Sequence, residues 1–255
     1  RWTTRNEATM IHSQKRFILN QEPVSEYLPD GMVLLDYLRR HRRLTGTKEG
    51  CREGDCGACS VLVGEWNDGK ISYAAINSCL FPMGQANGKH IVTIEGLATK
   101  AHAVQQAFVD EHAVQCGYCT PGMMISLTAY LLSTPHIDPI GAISALDGNI
   151  CRCTGYLSIK RAVTTICRAL TGQKHTDRIE QLVEKEIIPD YFRTIPGQLA
   201  KIQVTRPKMG GGIRVAGGTD LFVQQPELLE ESELRFLPKR RRPVWVRNGC
   251  CFIDA

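Results

Sequence analysis

Eight of the eleven cysteines in this 255-residue chain fall into two groups of four, and their spacing is typical of a metal site. In the first group, gaps of four and two residues separate the first three cysteines, and nineteen residues precede the fourth. The second group is a C-x2-C pair and a C-x-C pair, thirty-one residues apart. The groups are Cys51, Cys56, Cys59 and Cys79, and Cys116, Cys119, Cys151 and Cys153. Four thiolates suit a structural zinc ion or an iron–sulfur cluster, and the odd cysteine total counts against a disulfide framework.

The loop of the first group favours a cluster over zinc. Its C-x4-C-x2-C…C spacing is that of plant-type [2Fe–2S] ferredoxins, whereas zinc ribbons use two C-x2-C pairs and neither group has two. Gly50, Gly54, Gly57 and Ala58 are small enough for the backbone to curl tightly and to aim N–H groups at the cluster sulfurs. The spacing therefore predicts an iron–sulfur site, with zinc or free thiols as the alternative.

The second group lies at the starts of two predicted helices. Thr120 is expected to cap a helix over 121–134 with Pro121 as its first residue, and Ser158 is expected to cap a helix over 159–170. Apolar residues then recur at helical spacing in both segments. Because a helix N-terminus favours negative charge, cysteines placed before both caps indicate a second site.

Three sequence motifs within about residues 10–172 carry a resemblance to a known family. This part of the chain resembles the iron–sulfur module of the molybdenum hydroxylases, which include xanthine dehydrogenase, aldehyde oxidase and aerobic carbon monoxide dehydrogenase. The motifs are Gly50-Cys51-Arg52-Glu53-Gly54-Asp55-Cys56-Gly57-Ala58-Cys59, Gln115-Cys116-Gly117-Tyr118-Cys119-Thr120-Pro121-Gly122 and Asn149-Ile150-Cys151-Arg152-Cys153-Thr154-Gly155-Tyr156. The chain departs from the family at Leu157-Ser158, where Arg-Pro is common, and at Arg52, where Gly is frequent. Neither departure removes a cysteine, so both concern the subfamily.

The resemblance implies a cofactor for each group. In the family, the first group holds a plant-type [2Fe–2S] cluster near the flavin. The second group holds another [2Fe–2S] cluster inside a helical bundle, beside the molybdenum pterin of a partner domain. By the same resemblance, Gln115 and the region of Cys119 face that pterin. The catalytic Glu and the molybdopterin-binding residues of the family belong to another domain, so no catalytic residue is assigned to this chain.

The pattern of elements predicts an α+β chain. Strands are expected at 15–19, 60–66, 70–80 and 91–94, a short helix at 33–38, a turn at 67–69, and four further helices around 102–113, 121–134, 139–147 and 159–170. The predicted domains are a leader or tag remnant at 1–9, a β-grasp ferredoxin domain at 10–98, a four-helix [2Fe–2S] domain at 99–172, a linker with room for one short helix at 173–196, and an incomplete FAD-binding domain at 197–255.

The last of these domains is predicted from one loop. Residues 214–221 resemble the first flavin-binding loop of the family's FAD domain, and a strand that enters two glycines lets the backbone approach a pyrophosphate closely. The predicted flavin-binding residues are Ala216, Gly217, Gly218, Thr219 and Asp220. Too few residues follow for a whole flavin domain. The chain is therefore expected to be a fragment, with strands at 244–246 and 251–253 that pair beyond residue 255.

Composition limits the remaining function classes. A net charge of +5, from 31 basic and 26 acidic residues, is too small to imply a nucleic-acid partner, and the basic stretch 239–242 is expected to be a solvated loop. No apolar run approaches the ~18 residues of a membrane helix, so no membrane partner and a cytoplasmic location are expected. Cys167 is expected to be a buried small hydrophobe, and Cys250 and Cys251 are expected to be strand residues.

The leading hypothesis is the electron-transfer small subunit of a molybdenum hydroxylase, in a hetero-oligomer with a molybdopterin-binding large subunit. The fusion of an iron–sulfur module to a flavin domain favours xanthine dehydrogenase, which converts xanthine, NAD and water to urate and NADH. Electrons would then pass from molybdopterin through two [2Fe–2S] clusters to FAD and on to NAD. Two alternatives stay open. One is the small subunit of an aldehyde, nicotinate or carbon monoxide oxidising relative, and the other is a non-enzymatic double-zinc module whose basic segment binds an acidic partner.

Overall fold

A five-stranded mixed sheet carries the first cysteine group in this structure, a computed structural model that describes residues 12–67, 69–98, 103–170, 177–203, 212–237, 244–247 and 250–253. The predictions made for residues 1–9, 68, 102, 173–176 and 239–242 lie outside the described residues. The strands are β1 (His12–Leu19), β2 (Glu22–Pro29), β3 (Ser60–Asn67), β4 (Lys70–Asn77) and β5 (Lys89–Val92). They follow the order β2-β1-β5-β3-β4, in which β1 and β5 pair parallel and all other neighbours pair antiparallel.

This sheet has the mixed order that a β-grasp domain requires, and the strands predicted at 15–19 and 60–66 are confirmed within β1 and β3. Strand β2 is missing from the sequence-based prediction. Pro23 and Pro29 lie near its two ends and weaken the strand signal. The sheet tolerates both prolines because β2 is an edge strand, where a missing N–H breaks no inner ladder.

A short helical segment lies between β2 and β3 in the chain. Helix α1 spans Leu34–Asp36, and a π-helical turn over Tyr37–His41 continues it, so the helix predicted at 33–38 is confirmed and extends further. Leu34 and Leu38 are fully buried and pack in one cluster with Phe17 of β1. This burial fixes the segment from which the cysteine loop at 50–59 departs.

Two predicted strands run too far along the chain. The strand predicted at 70–80 ends at Asn77, where a 3-10 turn over Ser78–Leu80 begins. The turn returns the chain to β3, because the Ser78 N–H and hydroxyl donate to the Cys59 carbonyl at 3.3 and 2.7 Å. The strand predicted at 91–94 ends at Val92, and Ile94 instead begins a short helix, α2 (Ile94–Leu97).

Four helices then form the second unit: α3 (Ala103–Asp110), α4 (Thr120–Ser133), α5 (Pro139–Ser144) and α6 (Leu157–Leu170). All four were expected, although α3 and α5 end before residues 113 and 147. The predicted caps are wrong, because Thr120 and Ser158 already lie inside their helices and Cys119 occupies the cap position of α4. None of the helices in the described part of the chain is long and apolar enough to span a membrane.

A single apolar core joins the sheet to these helices. Leu62 of β3 and Tyr73 of β4 are buried in the same cluster as Phe108 of α3, Met123 of α4 and Val163 of α6. Helix α4 lies directly against β3 and β4. The loops between these elements, which carry the cysteines, therefore stand on one packed body rather than on two independent ones.

The segment predicted as a linker at 173–196 is more structured than expected. Its described part contains α7 (Arg178–Glu184), a 3-10 turn over Asp190–Arg193, and the start of α8 (Ile195–Leu199). Phe192 is fully buried in the shared core, and the Tyr191 hydroxyl donates to the Gly96 carbonyl at 3.2 Å. The polar sequence at 177–180 led to the prediction of a linker, because only a few apolar residues of this segment pack into the core.

A third small unit packs on the first. It consists of β6 (Ile213–Val215), α9 (Thr219–Gln224), α10 (Pro226–Glu230) and β7 (Leu234–Phe236), and β6 and β7 pair parallel. Val215 and Leu229 are buried in one cluster with Val33 and Leu35 of the first unit. The strands expected near the end of the chain are β8 (Val244–Arg247) and β9 (Cys250–Ile253), and each has the other as its antiparallel partner.

A buried histidine ties the first unit to the segment at 177–203. The ring of His90 on β5 is fully buried and lies edge-on to the rings of Tyr73, Tyr191 and Phe192. Its Nε2 lies 2.8 Å from the Asn20 carbonyl, which only accepts, so Nε2 carries the proton and Nδ1 accepts from the Tyr73 hydroxyl at 2.8 Å. Burial lowers the pKa of His90 to about 4, with the Asn20 carbonyl acting in the opposite direction.

We predict that this histidine makes the fold acid-sensitive. Between pH 6.5 and 4 the unfolded chain binds a proton at His90 that the folded chain excludes. The contribution of His90 to the free energy of unfolding is therefore fully present above the ordinary pKa of His and is lost as the pH falls toward 4. The loss should reach roughly 3 kcal/mol. Urea unfolding across this range should show a flatter pH profile for His90→Gln than for the parent, while exposed His136→Gln keeps the parent slope. Parallel slopes for parent and His90→Gln would contradict this assignment.

Candidate metal centres

The first cysteine group converges at one edge of the sheet. Cys59 ends the cysteine loop just before β3, and Cys79 lies on the 3-10 turn after β4, which places their sulfurs 3.4 Å apart in the interior. Cys51 and Cys56 form a second pair within the loop, where the Cys51 N–H donates to Cys56 Sγ at 3.5 Å. The four predicted residues are thus brought together as two pairs.

Backbone N–H groups of the loop point at these sulfurs, as predicted from its small residues. The Glu53 N–H donates to Cys51 Sγ at 3.4 Å, and the Cys51 N–H donates to Cys56 Sγ at 3.5 Å. Burial opposes ionisation of Cys51, yet the amide donors outweigh it and lower the pKa of that thiol. A Cβ on Gly50 would lie 2.6 Å from Cys56 Sγ, so a larger residue would displace the sulfur.

The two inner thiols shift each other's pKa in opposite directions. The hydrogen bond with Cys79 lowers the pKa of Cys59 to about 6 against the opposing effect of burial, and the hydrogen bond with Cys59, together with burial, raises the pKa of Cys79. A site that stabilises sulfur anions in this way suits thiolate ligation.

The second group also divides into two pairs. Cys116 and Cys153 lie at the surface with their sulfurs 3.4 Å apart. Cys119 lies at the start of α4, and burial, followed by the effect of the Cys151 thiol, raises the pKa of Cys119 to about 12. The Thr154 hydroxyl lies 3.3 Å from Cys151 Sγ. The loop at 149–156 and the start of α4 therefore assemble this site.

The pairing bears on the kind of metal that the sulfurs suit. A [2Fe–2S] cluster takes two thiolates on each of its two irons, whereas a structural zinc ion gathers four ligands around one centre. An arrangement in thiol pairs matches this two-plus-two ligation of a binuclear cluster.

The two cysteine loops are in direct backbone contact. The Ile150 N–H donates to the Cys56 carbonyl at 3.0 Å, and the Asn149 side-chain amide donates to the Gly57 carbonyl at 2.9 Å. Gly57 has φ +66°, and a Cβ there would lie 2.3 Å from the Gly148 carbonyl oxygen. Hydrogen bonds between residues that are cysteine ligand candidates or their sequence neighbours thus join the two sites.

A charged network holds the outer side of the first loop, and no sequence signal identified it. Arg52, with a left-handed φ of +61°, donates to both carboxylate oxygens of Asp36 at 3.2 and 2.7 Å and to Glu49 at 3.0 Å. The Tyr118 hydroxyl of the second loop donates to the Glu49 carbonyl. The side chain of Arg52, at a position where the family often has glycine, therefore fastens the loop to α1.

The second site opens to solvent on one face. Cys116, Cys153 and the predicted pterin-facing Gln115 are all exposed. Large apolar side chains within four residues of these positions in the sequence are exposed as well: Val114, Tyr118, Ile150 and Leu157. An exposed apolar rim of this kind is a common feature of protein interfaces.

The third unit covers the first site instead. Cys59 and Cys79 belong to the same buried cluster as Val215 and Phe222, and α9 contacts the 3-10 turn that carries Cys79. The five predicted flavin-binding residues connect β6 to α9 or begin α9. Gly218 has φ +79°, and a Cβ on Gly217 would meet no atom within 4 Å. A strand thus enters the two glycines as expected, a helix that was not predicted follows, and open space lies beside Gly217.

The other cysteines are placed as expected. Cys167 is buried on α6, and its thiol lies 3.8 Å from the Asp138 carbonyl oxygen. Cys250 and Cys251 are exposed residues of β9.

Comparisons with known families match each cysteine group separately. Residues 17–83 match the family described as the 2Fe-2S iron-sulfur cluster binding domain, and residues 93–164 match the [2Fe-2S] binding domain. Each match contains one complete group of four cysteines.

Similar full-length proteins are much longer than this chain. A xanthine dehydrogenase of Blastobotrys adeninivorans is 43% identical over 162 residues, which cover 61% of this chain and 11% of that protein. Aldehyde oxidase 3 of Mus musculus is 39% identical over 244 residues, which cover 91% of this chain and 18% of that protein. The chain therefore spans between 11% and 18% of the length of these two relatives.

Two solved structures share the architecture. A chain of quinoline 2-oxidoreductase from Pseudomonas putida 86 is 38% identical with a TM-score of 0.54, and the match covers 62% of this chain and 94% of that chain. The aldehyde oxidoreductase from Desulfovibrio desulfuricans is 32% identical with a TM-score of 0.55, over 70% of this chain and 18% of that chain.

The contact between the two loops leads to a stability prediction. Gly57→Ala and Gly69→Ala both place a side chain at a left-handed φ, which costs about 1 kcal/mol, but only the Cβ at residue 57 meets other atoms. Gly57→Ala should therefore lose about 3 kcal/mol in total, because overpacking adds to the backbone strain. Chemical denaturation of both variants measures the difference, and equal losses would contradict the close contact.

Proposed function

The chain belongs to the molybdenum hydroxylase family, in which it forms the electron-transferring iron–sulfur part, and we propose that its eight paired cysteines hold two [2Fe–2S] clusters. Cys51, Cys56, Cys59 and Cys79 would ligate the first cluster, and Cys116, Cys119, Cys151 and Cys153 the second. The single observation that carries this proposal is the arrangement of each group as two sulfur pairs, in loops that contact each other directly.

When bound, such clusters take up and release single electrons at potentials set by charge, burial and hydrogen bonds to sulfur. The protein's own contribution is to provide those conditions. The N–H groups of Cys51 and Glu53 donate to sulfur in the first site, and the interior location of Cys59 and Cys79 excludes water from its inner half. The second site offers Thr154 and an exposed pair of cysteines. These differences give the two sites different environments, as a directional relay requires.

We propose that the open face of the second site binds the molybdopterin-binding partner, with Gln115 directed at the pterin. The exposed apolar rim around Cys116 and Cys153 supports this assignment, because docking would bury it and shield the site from water. The assembly is therefore a hetero-oligomer or a larger chain with the molybdenum domain in contact with this rim.

The third unit is proposed to begin a flavin domain beside the first site. Its contact with Cys59 and Cys79 supports this order, since a flavin held by Ala216, Gly217, Gly218, Thr219 and Asp220 would adjoin the more buried site. The alignment with aldehyde oxidase 3 extends over 91% of the chain and thus beyond the two iron–sulfur domains.

The proposed reaction is that of xanthine dehydrogenase, in which xanthine, NAD and water give urate and NADH. The similarity to a xanthine dehydrogenase, at 43% identity, supports it, while the similarity to an aldehyde oxidase, at 41% identity, keeps an aldehyde-oxidising enzyme as the second candidate. The partner selects the substrate, because the residues that contact it lie outside this chain's proposed sites. Purified holoenzyme assayed with xanthine and with an aromatic aldehyde would separate the two candidates.

The cluster assignment is tested by metal content and spectroscopy. We expect the purified chain to be red-brown, with about four irons and as many sulfides per chain and two distinct S = 1/2 signals after reduction. Cys153→Ser should halve the iron, remove one signal and block electron flow from molybdenum, while NADH-to-dye activity of the holoenzyme persists. Cys167→Ser is the matched control and should keep both signals. A colourless chain with about two zinc ions after anaerobic purification would instead establish the double-zinc module.

The flavin proposal is tested at a position where the fold tolerates change. Gly217→Ala adds a methyl group that meets no protein atom, so the fold should be unaffected, but the methyl group would occupy the space that a pyrophosphate needs. In the intact enzyme, FAD retention should weaken on the order of tenfold, ~1.4 kcal/mol. Gly197→Ala, which also meets no atom, is the control. Unchanged flavin content in Gly217→Ala would refute the assigned loop.

A further inference from the structure

One side chain crosses from the second cysteine loop to the first. Asn149 is only 3% exposed, and its Nδ2 donates to the Gly57 carbonyl at 2.9 Å across a sequence separation of 92 residues. Its own backbone N–H donates to the Leu146 carbonyl at 2.8 Å, which anchors Asn149 to the turn after α5. The side chain therefore links the helical unit to the first cysteine loop, so the position of the loop depends on that of the helical unit.

The surroundings leave this contact little freedom. A Cβ on Gly122 of α4 would lie 2.3 Å from the Gly57 carbonyl oxygen, and a Cβ on Gly57 would lie 2.5 Å from Asn149 Nδ2. Three backbone segments thus meet at one carbonyl group. It accepts from the Ser60 hydroxyl and N–H of its own loop at 2.8 and 3.2 Å, and from Asn149 of the second loop. The neighbouring carbonyl, that of Cys56, accepts from Ile150, the residue immediately before Cys151.

The hydrogen bond of Asn149 ends on a carbonyl oxygen and not on a sulfur. A donor to sulfur would change the potential of a cluster, because it stabilises charge on the ligand. A donor to the backbone between two cysteines instead determines where the loop lies. The geometry thus gives Asn149 a role in setting the distance between the loops and no direct role in setting a cluster potential.

We infer that Asn149 is a positioning residue that fixes the separation of the two proposed clusters and thereby controls the rate of electron exchange between them. This inference rests on the proposed function, since it requires both clusters to be present. Without the Asn149 amide, the Gly57 carbonyl keeps the Ser60 donors of its own loop but loses its donor from the second loop. One of the hydrogen bonds that hold the two loops together is then missing, so their separation should increase slightly. The exchange rate and the magnetic interaction both fall steeply with separation, so a small displacement is measurable.

The test compares two asparagines in the full chain with both clusters assembled. Asn149→Ala removes the bond between the loops. Asn77→Ala removes an equivalent bond within the first unit, from Asn77 Nδ2 to the Gly54 carbonyl of the same cysteine loop. Asn149→Ser is a second, milder variant in case the alanine chain does not fold. Iron and sulfide content establish cluster occupancy before any comparison.

Four readouts are measured on each variant. In Asn149→Ala, the spin–spin splitting between the fully reduced clusters should shrink, and electron equilibration after flash photoreduction should slow several-fold. The midpoint potentials of both clusters should stay at their parent values. Hydrogen exchange at the Ile150 amide should accelerate, which reports loosening of the loops independently of electron transfer. Asn77→Ala should keep the parent splitting and equilibration rate.

The outcomes distinguish this inference from the proposed function. A parent chain without two cluster signals would refute the proposed function itself. Two intact clusters in Asn149→Ala with unchanged splitting and rate would overturn the positioning role. Shifted potentials with unchanged splitting would also overturn it, because Asn149 would then act on cluster energetics. Loss of a cluster from both Asn149 variants would assign the residue to cluster assembly and likewise overturn the inference.

Discussion

The close contact at Gly57 is the constraint on which both sites depend. Two loops from different units can approach through their backbones only where no Cβ intervenes, and Gly57 and Gly122 provide that space. The left-handed φ of Gly57 also turns its carbonyl toward Asn149. The apolar core shared by β3, β4 and the helices packs the elements that carry the two loops into one body. A larger residue at this junction would therefore disturb two sites at once.

Local spacing in the sequence was sufficient to predict both candidate sites, because ligand geometry is encoded within short loops. The C-x4-C-x2-C…C spacing and the C-x2-C and C-x-C pairs indicated all eight cysteines, and the structure brings two sulfurs of each group to 3.4 Å from each other. The ion pair of Arg52 with Asp36 and the bond from Asn149 to Gly57 had no such signal, since each joins residues far apart in the chain. Tertiary contacts of this kind depend on how whole units pack.

The errors in the predicted elements have the same origin. The strand predicted at 70–80 continues the apolar alternation past Asn77, but Ser78 bonds to the Cys59 carbonyl and turns the chain. The segment at 177–196 looked like a linker because its polar residues outnumber the few apolar ones, Phe192 and Ile195 among them, that are fully buried. In both cases a partner distant in sequence decided the local conformation.

The two sites differ in what encloses them, and this difference bears on the proposed direction of electron transfer. The first site lies beneath the third unit, which packs on Cys59 and Cys79, whereas the second exposes Cys116 and Cys153 beside an apolar rim. A relay between two partners needs one end free to dock and the other end already joined to the next carrier. Because the loops meet through the Cys56 and Gly57 carbonyls, hydrogen bonds within the protein connect the two sites. The packing therefore supports the proposed order of electron transfer, from the exposed site through the loop contact to the covered site.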